Sequence, residues 1–174
     1  MARKSFGVML AFLLMGTLAV AADFSGTWIR DAAKSDPMGM GRGGPGGGGG
    51  GGGQPPSMEV TLTVKHSGND LAVTRRVVRE GQDPRVTEQK FTLDGQDSKT
   101  VGSMGRGEMV AKAKLDGDKI NIAGVQKMST QQGDFEIKIQ EVWELSADGK
   151  LLTITTNSST PMGERASKQV YAKQ

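Results

Sequence analysis

The chain contains no cysteine, a single histidine and few aromatic residues. The absence of cysteine excludes disulfides, thiol catalysis, cysteine metal sites and the lipid-anchored N-terminus of a bacterial lipoprotein. The single histidine, His66, excludes a two-histidine metal site, and its place at the end of a predicted strand favours an exposed turn residue. Aromatic residues make up 5% of the chain, too few for the two aromatic girdles of an outer-membrane barrel.

The charge of the chain is close to balanced. The formal net charge is +3, and removing the two N-terminal cations Arg3 and Lys4 leaves +1. A nearly neutral chain has no electrostatic reason to bind nucleic acid or an anionic membrane. We therefore expect no nucleic-acid partner.

The first 22 residues have the pattern of a secretory signal. Arg3 and Lys4 precede an almost wholly apolar run over 6–20, and Ala19-Val20-Ala21 fits the small-residue cleavage pattern. The sequence predicts a cleavable signal over 1–22, with an uncleaved N-terminal anchor as the alternative, and no membrane span after cleavage. A single domain over 23–174 would then be periplasmic or secreted, and its lack of disulfides favours a bacterial source.

A glycine-rich stretch covers 38–57 and includes eight consecutive glycines at 46–53. Glycine loses the most backbone entropy on folding and has no side chain to bury, so we expect a disordered loop. A phosphate-binding loop is disfavoured, because no lysine follows the glycines and no helix is predicted after them.

The rest of the chain alternates between apolar and polar residues, which predicts strands with one buried face. Glycine-containing turns separate the runs, as expected for strands joined in sequence order. The fold class is therefore all-β: an antiparallel meander closed into an up-and-down β-barrel of about 8–10 strands, because closure removes exposed edges, with a β-sandwich as the runner-up. The predicted strands are 24–30, 58–66, 70–79, 85–93, 97–101, 107–115, 119–129, 134–145, 150–159 and 165–172.

The predicted first strand carries Gly26-Thr27-Trp28, and the string Asp23-Phe24-Ser25 precedes it. This segment resembles the opening motif of lipocalins and of calycin-type small secreted bacterial proteins. The resemblance implies a barrel around a small apolar or amphipathic ligand, with Gly26 and Trp28 at the closed floor. It also implies that a basic residue near the last strand, Arg165 or Lys168, packs across Trp28. The glycine-rich stretch then occupies the place of the first lipocalin loop, at the open end.

Two charged residues lie in the apolar phase of their predicted strands. Arg75 continues the phase of Leu71 and Val73, and Glu141 lies between Ile139 and Trp143. Inward charges are costly unless they are paired or used, so Arg75 is a candidate to bind a ligand carboxylate by two parallel hydrogen bonds. The alternative is a β-bulge or rim position that turns one or both outward. The remaining candidate wall residues are Phe135, Ile137, Ile139, Glu141 and Trp143.

Three other functions remain open alongside ligand binding. A filled barrel would be a structural or interaction module of the cell envelope. Met38 and Met40 form a thioether pair that could bind Cu(I), with Met104, Met109 and Met128 as further ligands, although methionine more often fills gaps in cores. An unrecognised enzyme ranks lowest, because no catalytic constellation is present. We predict a protein without enzymatic activity, cofactor or metal.

Overall fold

The computed structural model describes residues 22–38, 58–102, 105–130 and 133–174, which form ten β-strands and no helix. Each strand begins and ends within three residues of its predicted bounds. The strands are β1 (Gly26–Arg30), β2 (Met58–Ser67), β3 (Asp70–Arg79), β4 (Arg85–Thr92), β5 (Asp94–Val101), β6 (Glu108–Asp116), β7 (Lys119–Thr130), β8 (Gly133–Leu145), β9 (Leu151–Thr160) and β10 (Gly163–Lys173).

The ten strands form one antiparallel sheet in the order β4-β3-β2-β1-β10-β9-β8-β7-β6-β5. Each strand pairs with its neighbour in sequence except at β4 and β5, and the pairing of β1 with β10 joins the two ends of the chain. Side chains bridge the remaining edges: Gln89 Nε2 donates to the Val101 carbonyl at 2.9 Å, and the Thr92 amide donates to Ser98 Oγ at 3.0 Å. The barrel is thus nearly closed, which confirms the predicted fold class over the sandwich.

Glycine at positive φ makes the shortest hairpins possible. Gly68 has a φ of 58° between β2 and β3, and Gly117 has a φ of 64° between β6 and β7. Any other residue would be strained in this conformation. Tight turns of this kind fix the register of neighbouring strands, and hence which side chains point into the barrel.

The two ends of the barrel differ in how well they are packed. The turns after β2, β4, β6 and β8 lie at one end, the floor, where Leu71, Ile120 and Leu152 are at most 1% exposed. The turns after β3, β5, β7 and β9 lie at the other end, the mouth. There the inward-phase residues Arg79 and Arg165 are exposed. The apolar core therefore fills the floor half, and it reaches the mouth side at Val60 and Met109.

Several predictions concern residues outside the described ranges. The predicted signal over 1–22 lies outside them except for Ala22, and the predicted loop over 38–57 lies outside them except for Met38. Both stay predictions. No helix in the part of the chain that the structure describes could span a membrane.

Candidate functional site

Trp28 closes the floor of the barrel, and the basic residue across it is Lys173. The Trp28 side chain is fully buried, and its Nε1 donates a 3.0 Å hydrogen bond to the Phe24 carbonyl. Lys173 Nζ lies 5.1 Å from the centroid of the Trp28 ring, within range of a cation–π interaction. A Cβ at Gly26 would lie 2.8 Å from Lys173 Cε, so the glycine makes room for this contact.

This contact corrects the expectation that Arg165 or Lys168 packs across Trp28. Trp28 pairs directly with Lys173, at the end of β10. Arg165 pairs with Ser158, and Lys168 pairs with Thr155. Because β10 runs from the mouth to the floor, both residues lie too early in the strand to reach Trp28, and both are exposed.

His66 is not the exposed turn residue that the sequence favours. Its side chain is only 7% exposed, and the Phe24 ring packs edge-on against it at 6.0 Å between centroids. The Phe24 amide donates to His66 Nδ1 at 3.5 Å. The segment before β1 folds over the end of β2 and buries the imidazole, which the position of His66 in the sequence could not reveal.

Arg75 and Glu141 are both in the inward phase of the barrel. Arg75 pairs with the buried residues Leu62 and Thr87, and the pairing of β3 is continuous on both sides. Glu141 pairs with Ile122 and Thr156 in equally continuous ladders. No bulge interrupts either strand at these residues. Since β3 and β8 are five strands apart in a ring of ten, Arg75 and Glu141 lie on opposite walls of the interior.

The carboxylate of Glu141 is bound to its own wall. Its Oε2 accepts a 3.0 Å hydrogen bond from Trp143 Nε1, and its Oε1 accepts a 3.4 Å hydrogen bond from Thr156 Oγ1. Within the described ranges, no cation lies within 4 Å of it. The carboxylate therefore does not neutralise Arg75 by direct contact.

Three buried polar groups have no hydrogen-bond partner among the described residues: His66 Nε2 at the floor end of β2, and Arg75 Nε and the Tyr171 hydroxyl in the barrel interior. An unsatisfied buried polar group costs about 1–3 kcal/mol, and more when it is charged. Each such group calls for an explanation, such as a bound ligand or an ordered water, so Arg75 and Tyr171 are candidates for a ligand site.

Tyr171 lies among the charges of the interior. Burial raises the pKa of the Tyr171 hydroxyl above its ordinary value; the Arg75 guanidinium opposes that rise, the Glu141 carboxylate adds to it, and Arg30 opposes it more weakly. All three charges thus act on one hydroxyl. Sequence reasoning missed Tyr171 and Arg30, although extending the alternation through the first and last strands would have placed both in the inward phase.

Arg30 is already engaged, unlike Arg75. Its Nε donates to Gln169 Oε1 at 2.6 Å, and its Nη2 donates to the Asp36 carbonyl at 2.7 Å. Gln169 Nε2 donates to the same carbonyl at 3.1 Å. These bonds hold the segment after β1 against β10. Among the residues that the structure describes, Arg75 is therefore the central cation with free hydrogen-bonding capacity.

Apart from Glu141, the inward face of β8 opposite Arg75 is apolar. Phe135, Ile137, Ile139 and Trp143 all lie in the inward phase of β8, as the alternation predicts. Trp143 and Ile139 are buried, whereas Ile137 and Phe135 are half-buried nearer the mouth. The candidate wall therefore offers apolar surface from the centre of the barrel outward.

The structure describes three of the five methionines of the soft-metal hypothesis, which stays a prediction. Met40 and Met104 lie outside the described residues, while Met38 packs against the apolar core and Met109 is buried in it. Met128 Sδ accepts a hydrogen bond of 2.9 Å from Gln126 Nε2.

Comparisons with known proteins show the fold. No protein-family model matches the chain, and no curated protein does. Similar solved structures include zebrafish ileal bile acid-binding protein complexed with cholic acid, at 16% identity and a TM-score of 0.52 over 87% of this chain and 98% of that one. Another is a variant of the fluorescent protein UnaG, at 17% identity and a TM-score of 0.52 over 87% of this chain and 96% of that one.

These similarities define the class of the fold. The chain has the β-barrel fold of these two proteins, which is the fold that the resemblance drawn from Gly26 and Trp28 implies.

Proposed function

We propose that the protein binds a small amphipathic molecule through an anionic group, most simply a carboxylate, inside the barrel. The observation that carries this proposal is the pair of buried, unpartnered groups at Arg75 and Tyr171. A carboxylate has two oxygens, so it can accept hydrogen bonds from the guanidinium and the phenol together. Binding would satisfy both groups at once.

The net charge of the barrel interior favours a ligand with one negative charge. Arg30 and Arg75 contribute two positive charges at the centre, and Glu141 contributes one negative charge. The surplus of one cation attracts an anion, and the low dielectric of the interior strengthens that attraction. The apolar part of the ligand would lie along β8 against Ile137 and Phe135, where burial of apolar surface adds affinity.

The zebrafish structure supports this class of ligand. That protein was solved in complex with cholic acid, which is itself an amphipathic carboxylic acid. A barrel of this fold can therefore hold such a molecule. The choice of ligand class for the present chain rests on Arg75 and Tyr171, because 16% identity carries no ligand from one protein to the other.

We further propose that the protein works after export, in the periplasm or outside the cell. The basic start, the apolar run and Ala19-Val20-Ala21 support this. N-terminal sequencing of the mature protein from its own host should give a chain beginning at Ala22 or Asp23. A full-length chain recovered from the membrane fraction would contradict export.

Fluorescence of the two tryptophans tests ligand binding. The variants Trp28→Phe and Trp143→Phe each leave one tryptophan, at the wall or at the floor. Dodecanoate should change the emission of Trp143 saturably and leave the emission of Trp28 nearly unchanged. The reason is that Trp143 donates a hydrogen bond to Glu141, beside the proposed site. No saturable response in either variant to dodecanoate or to neutral dodecanol would indicate a filled barrel and favour the envelope-module alternative.

A further inference from the structure

The mouth of the barrel carries three inward-phase arginines. Arg79 pairs with Met58, and Arg85 pairs with Val77; both partners pack against the apolar core, which fixes the phase. Arg165 lies in the inward phase of β10, two steps of alternation before Gln169. We call Arg79, Arg85 and Arg165 the arginine rim. Each of the three is exposed.

Negative charge is nearly absent from the same inward face. In the mouth half of the described strands no acid lies in the inward phase: residues such as Glu88 and Glu136 lie in the outward phase, and Glu141 lies nearer the floor end of β8. Glu80 and Asp83 lie in the β3–β4 turn beside the rim. Even so, no arginine in the described ranges has a carboxylate within 4 Å.

The inward face of β3 leads from Arg75 to Arg79 of the arginine rim, which is exposed to solvent. Arg75, Val77 and Arg79 follow one another on the inward face of β3. At about 3.3 Å per residue, the backbones of Arg75 and Arg79 are about 13 Å apart. Val77 separates the two cations with an apolar step, and the apolar wall of β8 lies opposite. The face therefore alternates cationic, apolar and cationic from the centre to the mouth.

We propose that the ligand has a second anionic group, which the arginine rim binds, and an apolar body between its two charged ends. This inference rests on the proposed function, because it assumes that Arg75 holds the first anionic group. A ligand with one anionic group would make no contact with the charges of the arginine rim. A ligand with an anionic group at each end matches both cationic positions and presents apolar surface to Val77 and β8.

Calorimetric titration with dodecanoate and dodecanedioate tests the inference, since the two differ mainly in the second carboxylate. The dicarboxylate should bind the wild type about two- to fivefold more tightly, as expected for an exposed ion pair. The variant Arg79→Gln/Arg85→Gln should lose this preference and keep its affinity for dodecanoate. The matched control Lys65→Gln/Lys90→Gln removes two cations from the outward phase of β2 and β4 and should behave as the wild type. High salt should also weaken the preference, because exposed charges are screened.

The outcomes separate this inference from the proposed function. Equal affinity of the wild type for the two ligands would overturn the second anionic group while leaving the first intact. Equal losses of affinity for both ligands in the rim variant would also overturn the second anionic group. The rim would then act on any anionic ligand at long range, without contacting a second carboxylate. Failure of both ligands to bind the wild type would contradict the proposed function itself.

Discussion

The Trp143 indole donates a 3.0 Å hydrogen bond to Glu141 across one step of β8. Both residues face inward, so the carboxylate at the centre of the barrel has a fluorescent neighbour. Among the described residues, the same carboxylate carries the one negative charge that acts on Tyr171 and would oppose an anionic ligand there. Its charge and its hydrogen bonding can be separated by a conservative substitution.

Replacing Glu141 with glutamine should therefore tighten the binding of an anionic ligand. Glu141→Gln keeps a carbonyl oxygen for Trp143 and removes the negative charge. We expect dodecanoate to bind more tightly by on the order of 1 kcal/mol, with dodecanol unchanged. Tryptophan fluorescence titration measures both. A weaker affinity for dodecanoate would mean that Glu141 contributes to the site directly.

The ionisation of Tyr171 can be followed without interference, because the chain contains a single tyrosine. Burial raises the pKa of Tyr171 above 10.0, and Glu141 adds to that rise. Ultraviolet absorbance during an alkaline titration should show the raised pKa in the wild type and a lower one in Glu141→Gln. An ordinary value in the folded wild type would contradict the burial of the hydroxyl.

The raised pKa also makes stability depend on pH, since the folded state holds the Tyr171 proton more tightly than the unfolded state does. The contribution is fully present below about pH 10 and is lost as the pH rises through the folded-state pKa. Urea unfolding at increasing pH should show this loss in the wild type. Tyr171→Phe serves as the control, because it lacks the titrating group and should not show this component.

Tyr171→Phe should also affect the stability of the protein and its affinity for the ligand in different ways. The hydroxyl is buried and has no hydrogen-bond partner in the described ranges, so its removal should leave the unliganded protein as stable as the wild type or up to about 1–3 kcal/mol more stable. The same variant should bind dodecanoate more weakly. Denaturant unfolding and ligand titration provide the two measurements. A clear loss of stability would show that the hydroxyl has a partner in the free protein.

The contact of Lys173 with Trp28 should contribute modestly to stability. Lys173→Met keeps an unbranched side chain over the ring and removes the charge, so we expect a loss of about 0.5–1 kcal/mol. Lys173→Arg should retain the stability, since a guanidinium also stacks on aromatic rings. Denaturant unfolding of both variants checks this. Equal losses of stability in the two variants would show that Lys173 stabilises the protein by its packing and not by its charge.

The alternation of apolar and polar residues was enough to predict all ten strands, because each strand buries one face and glycine turns separate them. It also placed Arg75 and Glu141 in the inward phase, since phase depends only on local sequence. The partner of Trp28 could not be predicted in this way. Choosing Lys173 over Arg165 requires the register between the first and last strands, which no local pattern encodes.

The same limit explains the other corrections. Tyr171 and Arg30 approach Arg75 only because the barrel closes and brings distant strands around one interior. His66 is buried by a segment some forty residues away in sequence, as its hydrogen bond with Phe24 shows. Local pattern thus determines which side chains point inward, and closure determines which of them meet.

Calorimetric titration of the wild type and Arg75→Met with matched ligands tests the central claim most directly. Methionine keeps an unbranched apolar side chain and removes the guanidinium. Dodecanoate should bind the wild type saturably, and the variant should bind it about 1.5–3 kcal/mol more weakly, the range for hydrogen bonds to charged groups. Dodecanol should bind both proteins equally. Equal affinity of the two proteins for dodecanoate, or no saturable binding by the wild type, would contradict an anion site at Arg75.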